Sequence, residues 1–179
     1  MEKNLTHIAL FAALIAVLGL VPKIDLAAGV PITAQSMGIM LCGTVLGAKR
    51  GALAVLLFLA VGLIVPVFPG FMTLLQKIQS PSIGYIIGFP IAAFVTGLIM
   101  QNAKLAVFPA AFIGAILGCI IVLYAFGIPG MAFMLDKPLS EMAIAAGAFL
   151  PGDLIKAALA ALLTRAIAQM RPEALLSRG

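Results

Sequence analysis

Long apolar runs, separated by short gaps that hold almost all of the charge, constrain this chain more than any motif does. Backbone N–H and C=O groups inside hydrocarbon have no water to bind, so such runs must pair them internally, as helices or as a closed barrel. Barrel strands alternate in polarity with a period of two; these runs are continuously apolar, which makes the spans helices. Composition agrees, with 64% hydrophobic and 9% charged residues against about 25% charged in a soluble domain. The expected fold class is all-α integral membrane, a single bundle of six transmembrane helices. The candidate spans are Leu5–Val21, Ile32–Leu46, Ala52–Val67, Ile83–Met100, Ala106–Phe126 and Met142–Ala168. The second and third fall short of the roughly 20 residues of a bilayer crossing, so they need flanking residues or a thinner local bilayer. No linker is long or polar enough to divide the chain, and residues 1–179 read as one domain.

The first span follows Lys3 and precedes Ala27-Ala28-Gly29, a pattern that also suits a secretory signal. Its apolar core exceeds the 7 to 15 residues or so of a cleaved leader, and it reads as a retained helix. With both termini cytoplasmic, the inner segments carry Lys3, Lys49, Arg50, Lys104, Arg165, Arg171 and Arg178, and the outer loops Lys23, Lys77 and Lys137. That asymmetry follows the positive-inside rule. The net charge of +5 thus reflects topology and a multi-pass contact with the lipid bilayer, and no basic-aromatic patch points to nucleic acid.

Polar residues inside apolar segments are few. After the Pro151-Gly152 break, Asp153 and Lys156 stand three apart on one helical face. Each charge costs roughly 2.5–3.5 kcal/mol at the centre of a membrane helix, which points to use as a polar ligand site. The plainer alternative is a self-neutralising pair that fixes helix packing. Gln35, at the outer start of the second span, offers donor and acceptor together. Tyr85, at the outer start of the fourth, suits either the same site or an interfacial anchor. These positions place a site that opens outward. The connection from Pro66 to Pro81 mixes apolar side chains with Gln76, Lys77 and Gln79, as a lid over an outer cavity would, and as an ordinary interfacial loop also does. Small residues recur four apart at Ala9 and Ala13, Ala12 and Ala16, Gly43, Gly47 and Gly51, Gly84 and Gly88, and Gly114 and Gly118. For the glycines the expectation is close packing within the bundle; for the alanines, either packing or docking to another membrane protein. Cys42 and Cys119 lie in apolar segments without a CxxC, and with His7 as the single histidine no metal site is expected. No GxSxG, HExxH or Walker A sequence is present, so the chain is not expected to be an enzyme or to carry a cofactor.

The segments Val30-Pro31-Ile32-Thr33-Ala34-Gln35-Ser36-Met37-Gly38-Ile39-Met40, Ser80-Pro81-Ser82-Ile83-Gly84-Tyr85-Ile86-Ile87-Gly88-Phe89 and Pro151-Gly152-Asp153-Leu154-Ile155-Lys156-Ala157, in that order, resemble the BioY family. These are the biotin-binding S components of energy-coupling factor (ECF) transporters, and the resemblance covers nearly the whole chain. It implies a six-helix protein of the prokaryotic cell membrane that binds biotin from outside. Such a protein topples in the membrane while attached to a transmembrane coupling subunit and two ATPase subunits. It further implies ligand contacts at Gln35, Asp153 and Lys156, and docking of the coupling subunit on Ala9 and Ala13 or on Ala12 and Ala16. Where some family members have an arginine directly after the Gly-Tyr pair, this chain has Ile86, and Lys77 is assigned instead to the biotin carboxylate. The loop sequence Gly70-Phe71-Met72-Thr73-Leu74-Leu75-Gln76-Lys77 also departs from the glycine pairs common in the family. Competing expectations are an S component for another vitamin and a structural or assembly subunit that binds no small molecule.

Overall fold

The computed structural model describes residues 2–23, 30 and 32–178, and of residues 2 and 3 the backbone alone. Pro31, Ala27-Ala28-Gly29 and the Lys3 side chain, which figure in the sequence reading, lie outside that range. The described chain is 76% helix. In order come α1 (Glu2–Leu18), α2 (Gln35–Leu41) continuing as a π-helical segment (Cys42–Leu46), α3 (Ala48–Gly62) and the short α4 (Leu74–Lys77). Then follow α5 (Ile83–Asn102), α6 (Val107–Gly114) running through a second π segment (Ala115–Ile121) into α7 (Val122–Leu135), α8 (Leu139–Gly147), α9 (Leu150–Met170) and a final 3₁₀ turn (Pro172–Ala174). Each apolar segment of the sequence contains a helix. Among the described residues two helices are long and apolar enough to cross a bilayer, Ile83–Asn102 and the 29-residue Val107–Leu135. The pair α8 and α9, bent by 53° at its break, makes a third if it is one span.

α5 is the axis of the bundle, packed against α3, α7 and both π segments. The close approach is set by glycine. A Cβ on Gly118 would lie 2.2 Å from Thr96 Oγ1 and 2.4 Å from the Thr96 backbone N, and one on Gly43 would lie 2.6 Å from Thr96 Cβ. The two π segments thus clasp Thr96 from opposite neighbours. Gly84, near the start of the same helix, meets Phe126 and Gly130. The glycine stripes pack within the bundle, as small-residue spacing predicts where lipid provides no hydrophobic drive between helices.

Several ends differ from the sequence expectation: the third helix, for example, runs from Ala48 to Gly62 rather than from Ala52 to Val67, and two differences bear on the site. The fifth apolar helix continues beyond Phe126 to Leu135 even though Gly127, Pro129 and Gly130 look like breakers. Those glycines serve contact: a Cβ on Gly127 would strike the Tyr85 ring at 2.3 Å. The sixth segment breaks before Leu150, and Pro151, which has no N–H to pair, falls in the first turn of α9, where none is needed. Asp153 therefore sits in the first turn of α9, where the helix dipole favours an acid.

At the opposite end of α9 the chain turns back as a strap. The first π segment stops at Gly47, whose φ of +84° only glycine adopts without strain, leaving carbonyls without helical partners. Ser177 supplies them: its N–H donates to Val45 O at 2.8 Å and its hydroxyl to Thr44 O at 2.6 Å. Arg178 likewise donates to the carbonyls of Met100, in the last turn of α5, and of Ala103 and Leu105 beyond its end.

Candidate functional site

Gln35, Lys77, Tyr85, Asp153 and Lys156, far apart in the chain, all line one cavity. It leaves about 80 Å³ for the centres of water-sized spheres, several times the room one water needs. Its walls are mainly apolar, built by Phe68, Ile86, Phe89, Leu123 and Phe149. The Tyr85 ring stands edge-on to Tyr124 (centroids 6.5 Å apart, 85° between planes) and to Phe149 (6.2 Å, 82°). Its hydroxyl contacts Met131 Sδ at 3.6 Å. Tyr85 is buried and turned into the bundle, which is not where an interfacial anchor points.

The acid and base form the polar edge of the chamber. Lys156 Nζ donates to Asp153 Oδ1 at 2.9 Å and to Ser36 Oγ at 3.0 Å, while Tyr124 Oη donates to Asp153 Oδ2 at 3.0 Å. The charged side chains retain only 14–15% of their exposure, so the pair is neither free in water nor sealed. Ser36 and Tyr124 were not singled out in the sequence. Tyr124 did leave a signal, as one of only two tyrosines in the chain, set in the middle of an apolar run. Ser36 left none beyond adjacency to Gln35.

Gln35 is almost fully buried, and its Nε2 donates to Ile15 O at 3.3 Å and Val67 O at 3.0 Å. Both amide protons tie α2 to α1 and to the α3–α4 loop, leaving Oε1 as the group with capacity for a ligand. That loop forms part of the wall through Phe68, Pro69 and Lys77. A two-residue bridge, Phe68 with Met72, closes a tight turn over Gly70 and Phe71. The Thr73 N–H then donates to Gln76 Oε1 at 2.9 Å, starting the turn of α4 that ends at Lys77. Lys77 is 8% exposed, unusual burial for a lysine.

On α1 the two alanine pairs separate. Ala9 and Ala13 are exposed along with Leu10 and Val17, whereas Ala12 is buried in the bundle and Ala16 half-buried. Of the two docking alternatives, only Ala9 and Ala13 leave a small-residue surface open.

Fold and cavity together define a membrane-type helical bundle built around a small-molecule chamber. The BioY family profile matches residues 2–173. A biotin transporter BioY of Rhodobacter capsulatus is 50% identical over the full length of both chains. One from Rhizobium etli is 44% identical over 92% of each. A crystal structure of the S-component for biotin from an ECF-type ABC transporter superposes with a TM-score of 0.89 at 33% identity, covering 94% of this chain and 92% of that one. The chain belongs to the BioY family.

Proposed function

We propose that this chain is the biotin-capturing S component of an ECF importer. It is a single six-span domain of the prokaryotic plasma membrane with both termini cytoplasmic. It uses no metal or cofactor of its own, takes biotin from outside into the chamber, and relies on a separate coupling subunit and two ATPase subunits for energy. Ala9 and Ala13 form the patch for the coupling subunit.

One observation carries the choice of ligand: the hydrogen-bonding capacity left at the polar edge. Lys156 has three N–H donors, two of them committed to Asp153 and Ser36, so one remains. Asp153 accepts one bond on each oxygen, and each has a further lone pair. The edge thus offers one strong donor and two strong acceptors. A ureido ring presents the complement, one carbonyl and two N–H groups. The apolar wall suits biotin's bicycle and alkyl chain, Tyr85 closes against the ring, Gln35 Oε1 is a further acceptor, and Lys77 faces the carboxylate.

The test is a thermal melt of washed, detergent-purified protein with biotin, thiamine or riboflavin. A ligand that binds only the folded state stabilises it by about 2.7 kcal/mol at a hundredfold excess over Kd. A shift with biotin alone is expected. A shift with another vitamin would reassign the ligand, and no shift in folded, ligand-free protein would favour the structural-subunit reading.

A further inference from the structure

A second cavity lies at the opposite end of α9 from the chamber. It is a groove between the start of α6 and the last turns of α9, lined by Ala106, Val107, Phe108, Arg165, Ala168 and Gln169 among others. It leaves about 540 Å³ for the centres of water-sized spheres, against about 80 Å³ in the chamber. That is far more room than an ion or a single side chain fills. Its α6 wall is held in place, since Phe108 stacks on Phe112 with centroids 6.0 Å apart and 7° between planes. Arg165 makes no hydrogen bond or ion pair with any described residue. The described residues that line the groove include no acid. A cation left in an apolar groove without an internal counter-charge takes its partner from outside the chain.

The position of the arginine selects what that partner is. Arg165 precedes the end of α9 at Met170 by about 7.5 Å of helical rise. In the membrane orientation proposed above, that is the inner boundary of the bilayer, where lipid phosphates lie and where an arginine brings its head group. Gln169, one turn further on the same face, lines the groove too and adds two N–H donors. Ala106 and Val107 begin a helix that continues to Leu135, and Ala106 brings no side-chain cap, so the first N–H groups there also suit an anion. Beyond the groove both walls are hydrocarbon: Ile113 and Leu117 on one side, Leu159 and Leu162 on the other, are all exposed. A free phosphate ion would use the donors and leave those apolar walls uncovered. A phospholipid uses both.

We infer that the groove between α6 and α9 binds one anionic phospholipid of the inner leaflet, its phosphate held by Arg165 and Gln169 and an acyl chain laid along Leu162 and Leu159. The planar guanidinium suits the role, because its fork of N–H groups matches two phosphate oxygens at once. The bound lipid pins the inner end of α9 to that leaflet, at the far end of the helix from Asp153 and Lys156. The inference rests on the proposed membrane orientation and is independent of which ligand the chamber takes.

The chain has no tryptophan, so Leu162→Trp, at an exposed position, sets a single fluorophore beside the groove. The full-length reporter protein is reconstituted in phosphatidylcholine vesicles containing phosphatidylglycerol, with brominated chains on one lipid at a time, and quenching gives the share of each lipid at the groove. Phosphatidylglycerol is expected to be enriched about fivefold over its mole fraction, the gain from one basic residue at the membrane surface. Adding Arg165→Gln is expected to abolish the enrichment. Adding Lys104→Gln instead removes an equal charge just before α6 without touching the groove, and is expected to preserve it. No enrichment in the reporter protein, or enrichment that survives Arg165→Gln, would overturn the site. Equal losses in the two variants would do the same, by reducing it to the general attraction of a basic membrane face. In lipid-free detergent all three proteins should melt alike, since Arg165 has no described partner to lose; a lower melt for Arg165→Gln would reveal one and overturn the premise. A reporter protein without lipid preference, whose Arg165→Gln variant lost co-purification with the coupling subunit, would assign the groove to that subunit. No biotin enters the assay, so its failure and that of the biotin reading are separate results.

Discussion

The ion pair Asp153–Lys156 is where a structural and a ligand-binding role can be separated by measurement. At 2.9 Å the gross Coulomb attraction is about 5–6 kcal/mol at an effective dielectric near 20, most of it offset by the cost of withdrawing both charges from water. Removing one partner of a fully buried pair costs about 3–5 kcal/mol, because the other charge is stranded. Here each charge would keep one partner, Tyr124 for Asp153 and Ser36 for Lys156, and some exposure. The expected cost of Asp153→Asn or of Lys156→Met is accordingly lower, about 2–3 kcal/mol. For a chain of this size that is a fall of roughly 4–12 °C in melting temperature. The double substitution strands no charge, so it should destabilise less than the sum of the singles by about 1.5 kcal/mol or more.

Biotin affinity should behave differently. The ureido ring needs both the acceptor and the donor, so each single substitution is expected to weaken binding about a hundredfold, some ~2.7 kcal/mol, and the double is expected to recover none of it. The assay is a set of ligand-free melts of parent, singles and double, with biotin titrations of the same four proteins. Strictly additive stability losses would refute the coupling argument. A double variant that regained stability and still bound biotin tightly would refute the ligand role and leave a packing pair.

Tyr124→Phe keeps the ring that packs against Tyr85 and deletes one hydrogen bond to a charged acceptor, a loss of about 1.5–3 kcal/mol; titration should show biotin and biotinol weakened alike, and unchanged affinity would remove Tyr124 from the site. Gly118→Ala places a Cβ against the Thr96 side chain and backbone at once, an overpacking cost of about 1–3 kcal/mol. Because the backbone contact remains, Thr96→Ala should not rescue the melting temperature, and full rescue would show that only the side chain is in the way. Ala13→Trp, on the open face of α1, should leave biotin binding intact yet abolish co-purification with the coupling subunit, whereas undiminished co-purification would move the docking surface elsewhere.

What could be read in the sequence was what depends on local cost. Charges are expensive in apolar segments, so Asp153 and Lys156 stood out, and glycines four apart have little use but close packing. What escaped depended on neighbours distant in the chain. Ser36 is ordinary until Lys156 is seen beside it. Gly127 and Pro129 look like helix ends, yet α7 runs through them because the Tyr85 ring occupies the space a side chain would take. Membrane helices tolerate such residues where neighbouring helices pair the freed backbone groups. The strap from Pro172 to Arg178 was invisible for the same reason: its purpose is to satisfy carbonyls left over by a π segment, and π segments have no clear sequence signature.

The chamber's polar groups differ in how far they are already committed without ligand. Gln35 has both donors tied to backbone carbonyls, Asp153 has one bond on each oxygen, and Lys156 has two of its three donors engaged. The Ser82 hydroxyl is buried and has no partner among the described residues. Groups that are partly satisfied and cross-linked between helices stay in place while the site is empty, so little ordering entropy is lost when the ring arrives, and binding gains from that preorganisation. They also discriminate, because a ligand lacking the matching donors and acceptor would desolvate charged groups without replacing their water.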